Sequence, residues 1–419
     1  MSSPPRQTEI LLAGLRGLSQ RIPIDAALLE EAARKKLSRR AFAYIAGGAG
    51  AESTMRANRE ALERWRIVPR VLRDVSSRDT SVELFGARIP TPLLLSPIGA
   101  VELAHPSADL GAARAAASLG VPMVFSSQAS VPMESCAAAM GASARWFQLY
   151  WSRDDELVAS FVERAERCGC SAIVLTLDTT LLGWRTRDLE LGYLPFLHGK
   201  GIAQYTSDPV FMRKLGEPLP GAAPSRGRPT PSALRAAWHM ARAVPGGTFA
   251  NLRRGTALAA VRRFVATYTR PSLGWSDLPS LRAKTKLPIL LKGILHPDDA
   301  RRALDAGMDG IVVSNHGGRQ VDGAIASIDA LPAVVDAVEG RVPVLVDSGI
   351  RGGADVFRAL ALGARAVGVG RTWAWALALG GEDGVREHLA NLAADFELTM
   401  ALAGCRDVAA IGRDSLAPR

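Results

Sequence analysis

Eight short apolar runs, separated by helix-forming stretches, constrain this sequence more than any other feature. They are Pro92–Ser96, Pro122–Phe125, Trp146–Leu149, Ala172–Leu177, Pro288–Leu291, Gly310–Val313, Pro343–Val346 and Ala366–Val369. Each is four to six residues long and apolar without alternation, the pattern of strands covered on both faces. Most of the intervening segments carry Ala, Leu, Glu and Arg at helical spacing, Asp154–Arg167, Asp298–Asp305 and Ala354–Leu362 most clearly. Pro297 followed by Asp298 and Asp299 places carboxylates at the positive end of a helix dipole. Strand and helix in alternation mean parallel βα units, and eight of them match a closed (β/α)8 barrel. An open doubly wound sheet would carry a glycine-rich dinucleotide turn after its first strand, and Pro97-Ile98-Gly99-Ala100 is not one.

The expected fold is therefore α/β, a (β/α)8 TIM barrel over residues 91–412. A helical segment, 1–90, precedes it and packs on it, and residues 413–419 form a C-terminal tail. Within the first segment, helices are expected over Ile24–Leu37 and, as one or two pieces, over Arg39–Leu62. The fourth and fifth runs are separated by Gly183–Ser276, whereas βα loops usually take about two to six residues. Prolines 195, 209, 218, 220, 224, 229 and 231 punctuate the first part of this insertion, which reads as a lid, 183–276, over the barrel mouth after strand 4.

Charge is equally uneven. The net value is +10, and Ser225–Arg270 alone holds nine arginines with no Asp or Glu. A nucleic-acid binder would spread its charge over the fold, so no nucleic-acid partner is implied. Leu258–Tyr268, with Arg262 and Arg263, reads as a solvated or subunit-contact lid helix in preference to an amphipathic helix on an anionic membrane or a quinone-reducing partner. No apolar run of about 18 residues predicts a membrane span. Met1–Arg6 is polar rather than signal-like, and Cys136, Cys168, Cys170 and Cys405 read as thiols of a reducing compartment. A cytoplasmic protein is the expectation.

Polar residues gather at the ends of the runs. Ser126 follows the second, Gln148 and Tyr150 mark the third, and Thr176 and Asp178 the fourth. Lys292 follows the fifth, Ser314-Asn315-His316 the sixth, Asp347 the seventh, and Gly370-Arg371 the eighth. In such a barrel the C-terminal strand ends share one mouth, so these side chains converge there. Asp347-Ser348-Gly349-Ile350-Arg351-Gly352-Gly353 and Gly368-Val369-Gly370-Arg371 bring free backbone N–H groups and cations to the usual phosphate position of loops seven and eight. A phosphate site below a polar ring suggests a flat mononucleotide such as FMN, with no metal. His316 is the candidate base and Asp178 its hydrogen-bond partner. Arg319, three residues on, offers a planar fork for a carboxylate. Lys292 reads either as a buried structural ion pair or as a fixed cation beside the electron-accepting edge of a flavin.

Over residues 25–412 the chain resembles the FMN-dependent L-2-hydroxy-acid oxidases and dehydrogenases. The segment Ser314–Gln320 and the run Asp347–Arg351 with Gly370-Arg371 carry that resemblance. It implies oxidation of a small, lactate-like L-2-hydroxy acid to the 2-keto acid, with oxygen or a quinone as acceptor, in a homo-oligomer, tetrameric or octameric. It further implies that His316 is the base and that Arg319, Tyr44 and Arg185 hold the substrate carboxylate. Tyr150 would face the substrate hydroxyl or the flavin. Pro97, Ile98, Gly99, Ser126, Gln148, Thr176, Lys292 and Ser314 would contact the ring, and Asp347, Gly349, Arg351, Gly370 and Arg371 the ribityl chain and phosphate.

The lid sequence Gly183-Trp184-Arg185-Thr186-Arg187-Asp188-Leu189 is most similar to the lactate 2-monooxygenase branch, implying oxidative decarboxylation to acetate. Gly99 stands where oxidases of the family carry Ala, and Gln128 where glycolate oxidase has a Trp. The arginine-rich half of the lid has no counterpart in the monooxygenase, and no haem-binding domain precedes the barrel. The competing readings are a quinone-linked 2-hydroxy-acid dehydrogenase and another FMN barrel such as an isopentenyl-diphosphate isomerase.

Overall fold

A computed structural model describes residues 5–218 and 230–418. The first part of the arginine-rich stretch, with Arg226 and Arg228, and Pro220, Pro224 and Pro229 lie outside these residues. All eight apolar runs are strands: β1 (Leu93–Leu95), β2 (Met123–Phe125), β3 (Arg145–Leu149), β4 (Ile173–Thr176), β5 (Ile289–Ile294), β6 (Gly310–Val313), β7 (Val344–Val346) and β8 (Ala366–Val369). They pair in parallel and in sequence order, and β8 returns to β1 through Val367–Leu93, Gly368–Leu94 and Val369–Leu95. The result is a closed barrel. Leu94, Val124, Trp146, Val174, Leu290, Val312 and Leu345 form one buried apolar cluster, while Leu93, Phe147, Ile173, Leu291 and Val313 join the larger core with the helices. Both sides of each strand are thus apolar, as the absence of alternation required.

β5 runs further than its apolar residues suggest. It extends through Lys292 to Ile294, with a register shift between these two, so Lys292 lies within the strand rather than after it. Gly293 sits at the bulge with φ +108, where a Cβ would lie 2.8 Å from Asp178 Cβ. Glycine there lets the polar ends of β4 and β5 come together.

Helices Ala26–Lys36, Arg39–Ala46 and Ser53–Glu63 occupy the expected N-terminal positions, the last two separated by Gly47–Glu52. Asp25 caps the first by accepting from the N–H groups of Ala27 and Leu28. Leu416–Pro418, within the expected tail, pairs antiparallel with Trp65–Ile67. The 183–276 insertion contains short helices such as Thr186–Glu190, then Pro231–Ala243, Thr248–Arg254 and Thr256–Thr267. In the last of these Arg263 is buried and bonds Glu217 at 2.8 Å, so only Arg262 of that pair faces outward. Among the described residues no helix is long and apolar enough to cross a membrane.

Candidate active site

The loop after β6 is built to turn sharply. His316 itself is left-handed at φ +56, and Gly317 and Gly318 follow at +65 and +73. A non-glycine residue in that region is strained, so the surroundings must hold it. They do so from outside the barrel. Asn315 and Asn58 exchange side-chain amide hydrogen bonds at 2.9 and 2.7 Å, and Asp322 accepts from the N–H groups of Ala51 and Ser53 at 2.7 Å each. The helix Ser53–Glu63 thereby clamps both ends of the loop.

So held, the His316 ring places Nδ1 2.7 Å from Asp178 Oδ1. Thr179 Oγ1 lies 3.3 Å from the same nitrogen and donates to Asp178 Oδ1 at 3.0 Å. With a proton on Nδ1 donated to the carboxylate, Nε2 is left as an acceptor. Burial keeps His316 below its ordinary value against the opposing pull of Asp178. Burial alone would raise Asp178, but the His316 and Lys292 charges hold its carboxyl well below the usual range. Lys292 Nζ donates to Ser314 Oγ at 2.7 Å and stands 3.3 Å from Asp347 and 3.6 Å from Asp178. Burial would lower this ammonium, yet the two carboxylates hold it well above the ordinary value.

Two groups of arginines face the same space. Arg319 donates to the carbonyls of Tyr44 and Gly47 at 2.7 Å each, and its guanidinium lies 5.2 Å from the Tyr44 ring centre. Burial and the neighbouring Arg185 push Arg319 down to about 10. In the second group, burial and Arg59 push Arg351 down to about 10, and Arg371 is lowered well below its usual value by burial, Arg319 and Arg351. Buried cations that depress one another want anions, so each group is a site for negative charge. Burial pushes Tyr150 up to about 12 and Tyr44 also upward, so both phenols keep their hydroxyl protons.

A cavity of about 1070 Å³, counting its open mouth, joins these groups. Tyr44, Tyr150, Arg185, His316 and Arg319 line it, as do Pro97, Ile98, Gly99 and Ser126. So do Gln148, Thr176 and Lys292, and then Asp347, Gly349, Arg351, Gly370 and Arg371. Asp178 and Ser314 stand behind this lining, touching it through His316 and Lys292. Sequence reasoning did not find Thr179, Leu182, Phe196 or Tyr268, which also line the cavity. Thr179 could have been inferred from its place beside Asp178. Phe196 reaches the cavity because its segment folds back, packing edge-on to Tyr44 at 6.0 Å and against Phe264, and no local pattern signals that.

Among the described residues, several buried polar atoms here lack a partner: Gln148 Nε2, Thr176 Oγ1 and Arg371 Nε. Buried donors are seldom left so. The polar edge of a flavin and a phosphate would answer them, so the residues present fit FMN.

The FMN-dependent dehydrogenase family profile matches residues 33–418. The chain is 41% identical over 386 residues to an L-lactate oxidase of Lysinibacillus sphaericus, covering 92% of this chain and 90% of that one. It is 42% identical over 390 residues to a 4-hydroxymandelate oxidase of Amycolatopsis orientalis, covering 93% and 97%. A crystal structure of mandelate oxidase with (S)-4-hydroxymandelic acid superposes with a TM-score of 0.78 at 39% identity, over 95% of this chain and 99% of that one.

Proposed function

The chain belongs to the FMN-dependent dehydrogenase family, an FMN-dependent 2-hydroxy-acid oxidoreductase, and on that premise we propose that its substrate is a small, lactate-like L-2-hydroxy acid and that it decarboxylates the product oxidatively. One observation carries the substrate reading: the His316–Asp178 pair at 2.7 Å opens on the same cavity as Arg185 and Arg319. FMN, when bound, supplies the two-electron acceptor. Gln148, Thr176 and Lys292 would hold its ring, with Pro97, Ile98, Gly99 and Ser126 beside them and Ser314 behind, positioning Lys292 and not the ring itself, and Asp347, Gly349, Arg351, Gly370 and Arg371 would hold its tail. Arg319 and Arg185, with the Tyr44 hydroxyl, bind the substrate carboxylate and thereby fix which way the Cα–H points. His316 Nε2 takes the hydroxyl proton, and Asp178 stabilises the imidazolium that results. Tyr150 donates to the substrate oxygen. Residues 183–276 act as a lid that excludes water and retains the 2-keto product, which supports the decarboxylating outcome. The same reading places the protein in the cytoplasm as a homo-oligomer.

Anaerobic mixing with L-lactate should bleach the flavin, and with L-mandelate should do so more slowly. In air, acetate should replace pyruvate and peroxide as product. Pyruvate with peroxide would reassign the chain to oxidase chemistry, and oxygen-independent turnover with a quinone would reassign its acceptor. Bleaching by mandelate alone would discard the lactate-like substrate.

The base must be neutral to accept a proton, so activity is present above the His316 value and lost as pH falls through it. Since burial lowers that value, the acid limb of kcat/KM should have its midpoint below 6.5, falling about tenfold per pH unit beneath it. A midpoint above 6.5 in a kcat/KM profile would remove His316 from this role.

Gly99 and Gln128 should behave as one unit. A Cβ on Gly99 would lie 2.9 Å from Gln128 Cβ and 3.3 Å from its Oε1, and both residues line the cavity. Gly99→Ala should therefore displace Gln128 and raise KM about tenfold, within the range for overpacking. Gln128→Gly, which removes that Cβ, should recover much of the loss in the double variant. Strictly additive effects in the double-mutant cycle would separate the two residues.

A further inference from the structure

The outer surface of the lid has no part in the site just described, yet its composition is unusual. Helix Pro231–Ala243 turns Leu234, Arg235, Trp238, His239 and Arg242 outward, at spacings that put them on one face, while Met240 and Ala241 are buried beneath. The following helix, Thr248–Arg254, exposes Phe249, Leu252, Arg253 and Arg254. Trp238 and Phe249 meet edge-on at 5.8 Å, joining the two helices at the surface. Phe249 is 77% exposed, Leu234 63% and Trp238 40%. Large apolar side chains left in water over two adjacent helices mark a surface that something covers. Arg235, Arg242, Arg253, Arg254 and Arg262 are exposed, and among the described residues none has a carboxylate within ion-pair distance, whereas Arg263 and Arg270 do.

We propose that this lid face binds an anionic lipid bilayer peripherally, its arginines meeting the headgroups and Trp238, Phe249, Leu234 and Leu252 entering the interface. Charge complementarity selects that occupant. Five unpaired guanidinium groups around an apolar centre suit a surface that is negative throughout and apolar just below. A second copy of this chain would bring five more arginines against the first five. Trp at such a depth keeps its ring apolar and its N–H wet. The underside of the same lid carries Phe264, packed on Phe196 and stacked on Tyr268, the latter two lining the cavity, so a bound bilayer would lie on the outer side of the lid that covers the site.

The test is co-sedimentation of the intact, flavin-loaded protein with vesicles of phosphatidylcholine alone and with phosphatidylglycerol added. Pelleting with the anionic vesicles only, reversed by salt, is the expected result. Arg253→Glu with Arg254→Glu should lower the partition coefficient about tenfold or more, and Trp238→Ser with Phe249→Ser by a similar factor. Turnover with a soluble acceptor should be unchanged in both, which shows that they fold. Protein that stays in solution with every vesicle overturns the proposal. So does equal binding to neutral vesicles, or a change of oligomeric state in the variants without any vesicle binding by the parent, which would make the face an interface between copies.

Discussion

His316→Ala should purify yellow, with a full complement of FMN, and fail to bleach when mixed anaerobically with L-lactate. Its flavin-reduction rate should fall by about 10²–10⁴, the usual contribution of a positioned base. The side chain stands on a loop whose backbone is held by Asn58, Asp322 and Ser327 rather than by its own imidazole, so truncation leaves the loop in place. Asp178 would lose its strongest partner but keep Thr179 and Lys292. Stopped-flow reduction, with flavin content measured by absorbance, separates loss of chemistry from loss of cofactor. A variant reduced at the parent rate would refute the assignment.

Lys292→Met should be worse for the protein as a whole. The ammonium lies between Asp178 and Asp347, all three almost fully buried. Removing one partner of a buried ionic group leaves uncompensated charge, at a cost of about 3–5 kcal/mol. Asp178, no longer held down by this cation, would then titrate upward and release its hold on His316 Nδ1. Denaturant unfolding should show the full destabilisation, and flavin should be retained poorly. Adding Asp347→Asn to Lys292→Met should recover part of the stability by removing one of the stranded carboxylates, without recovering turnover. A Lys292→Met protein as stable as the parent would show that the triad carries no net charge coupling.

The barrel was legible because its signal is local. Runs such as Gly310–Val313 and Ala366–Val369 are apolar on both faces, and only strands walled by helices need that. The polar ring was legible for the same reason: Gln148, Thr176, Asp178 and Asp347 interrupt apolar strands at matching ends, and closure of the barrel brings matching ends together. The apolar run puts the end of β5 at Leu291 rather than Ile294 because the bulge at Gly293 lets the strand continue past its first charged side chain. Tyr44 and Arg185 came from resemblance, since nothing in their neighbourhoods marks them as facing Arg319. Phe196 and Tyr268 were invisible for a stricter reason. They reach the cavity through contacts of the insertion's helices with one another and, for Phe196, with Tyr44, and periodicity reports the buried face of a helix without saying what covers it.

The exchange of amides between Asn58 and Asn315 ties the reacting end of the barrel to a segment that precedes every barrel strand. Competence at this site therefore rests on a contact that the eight strands alone do not supply. Closing the eight strands sets Asp178 opposite the imidazole, but the left-handed turn that carries His316 is braced by an amide on the helix Ser53–Glu63, outside the barrel.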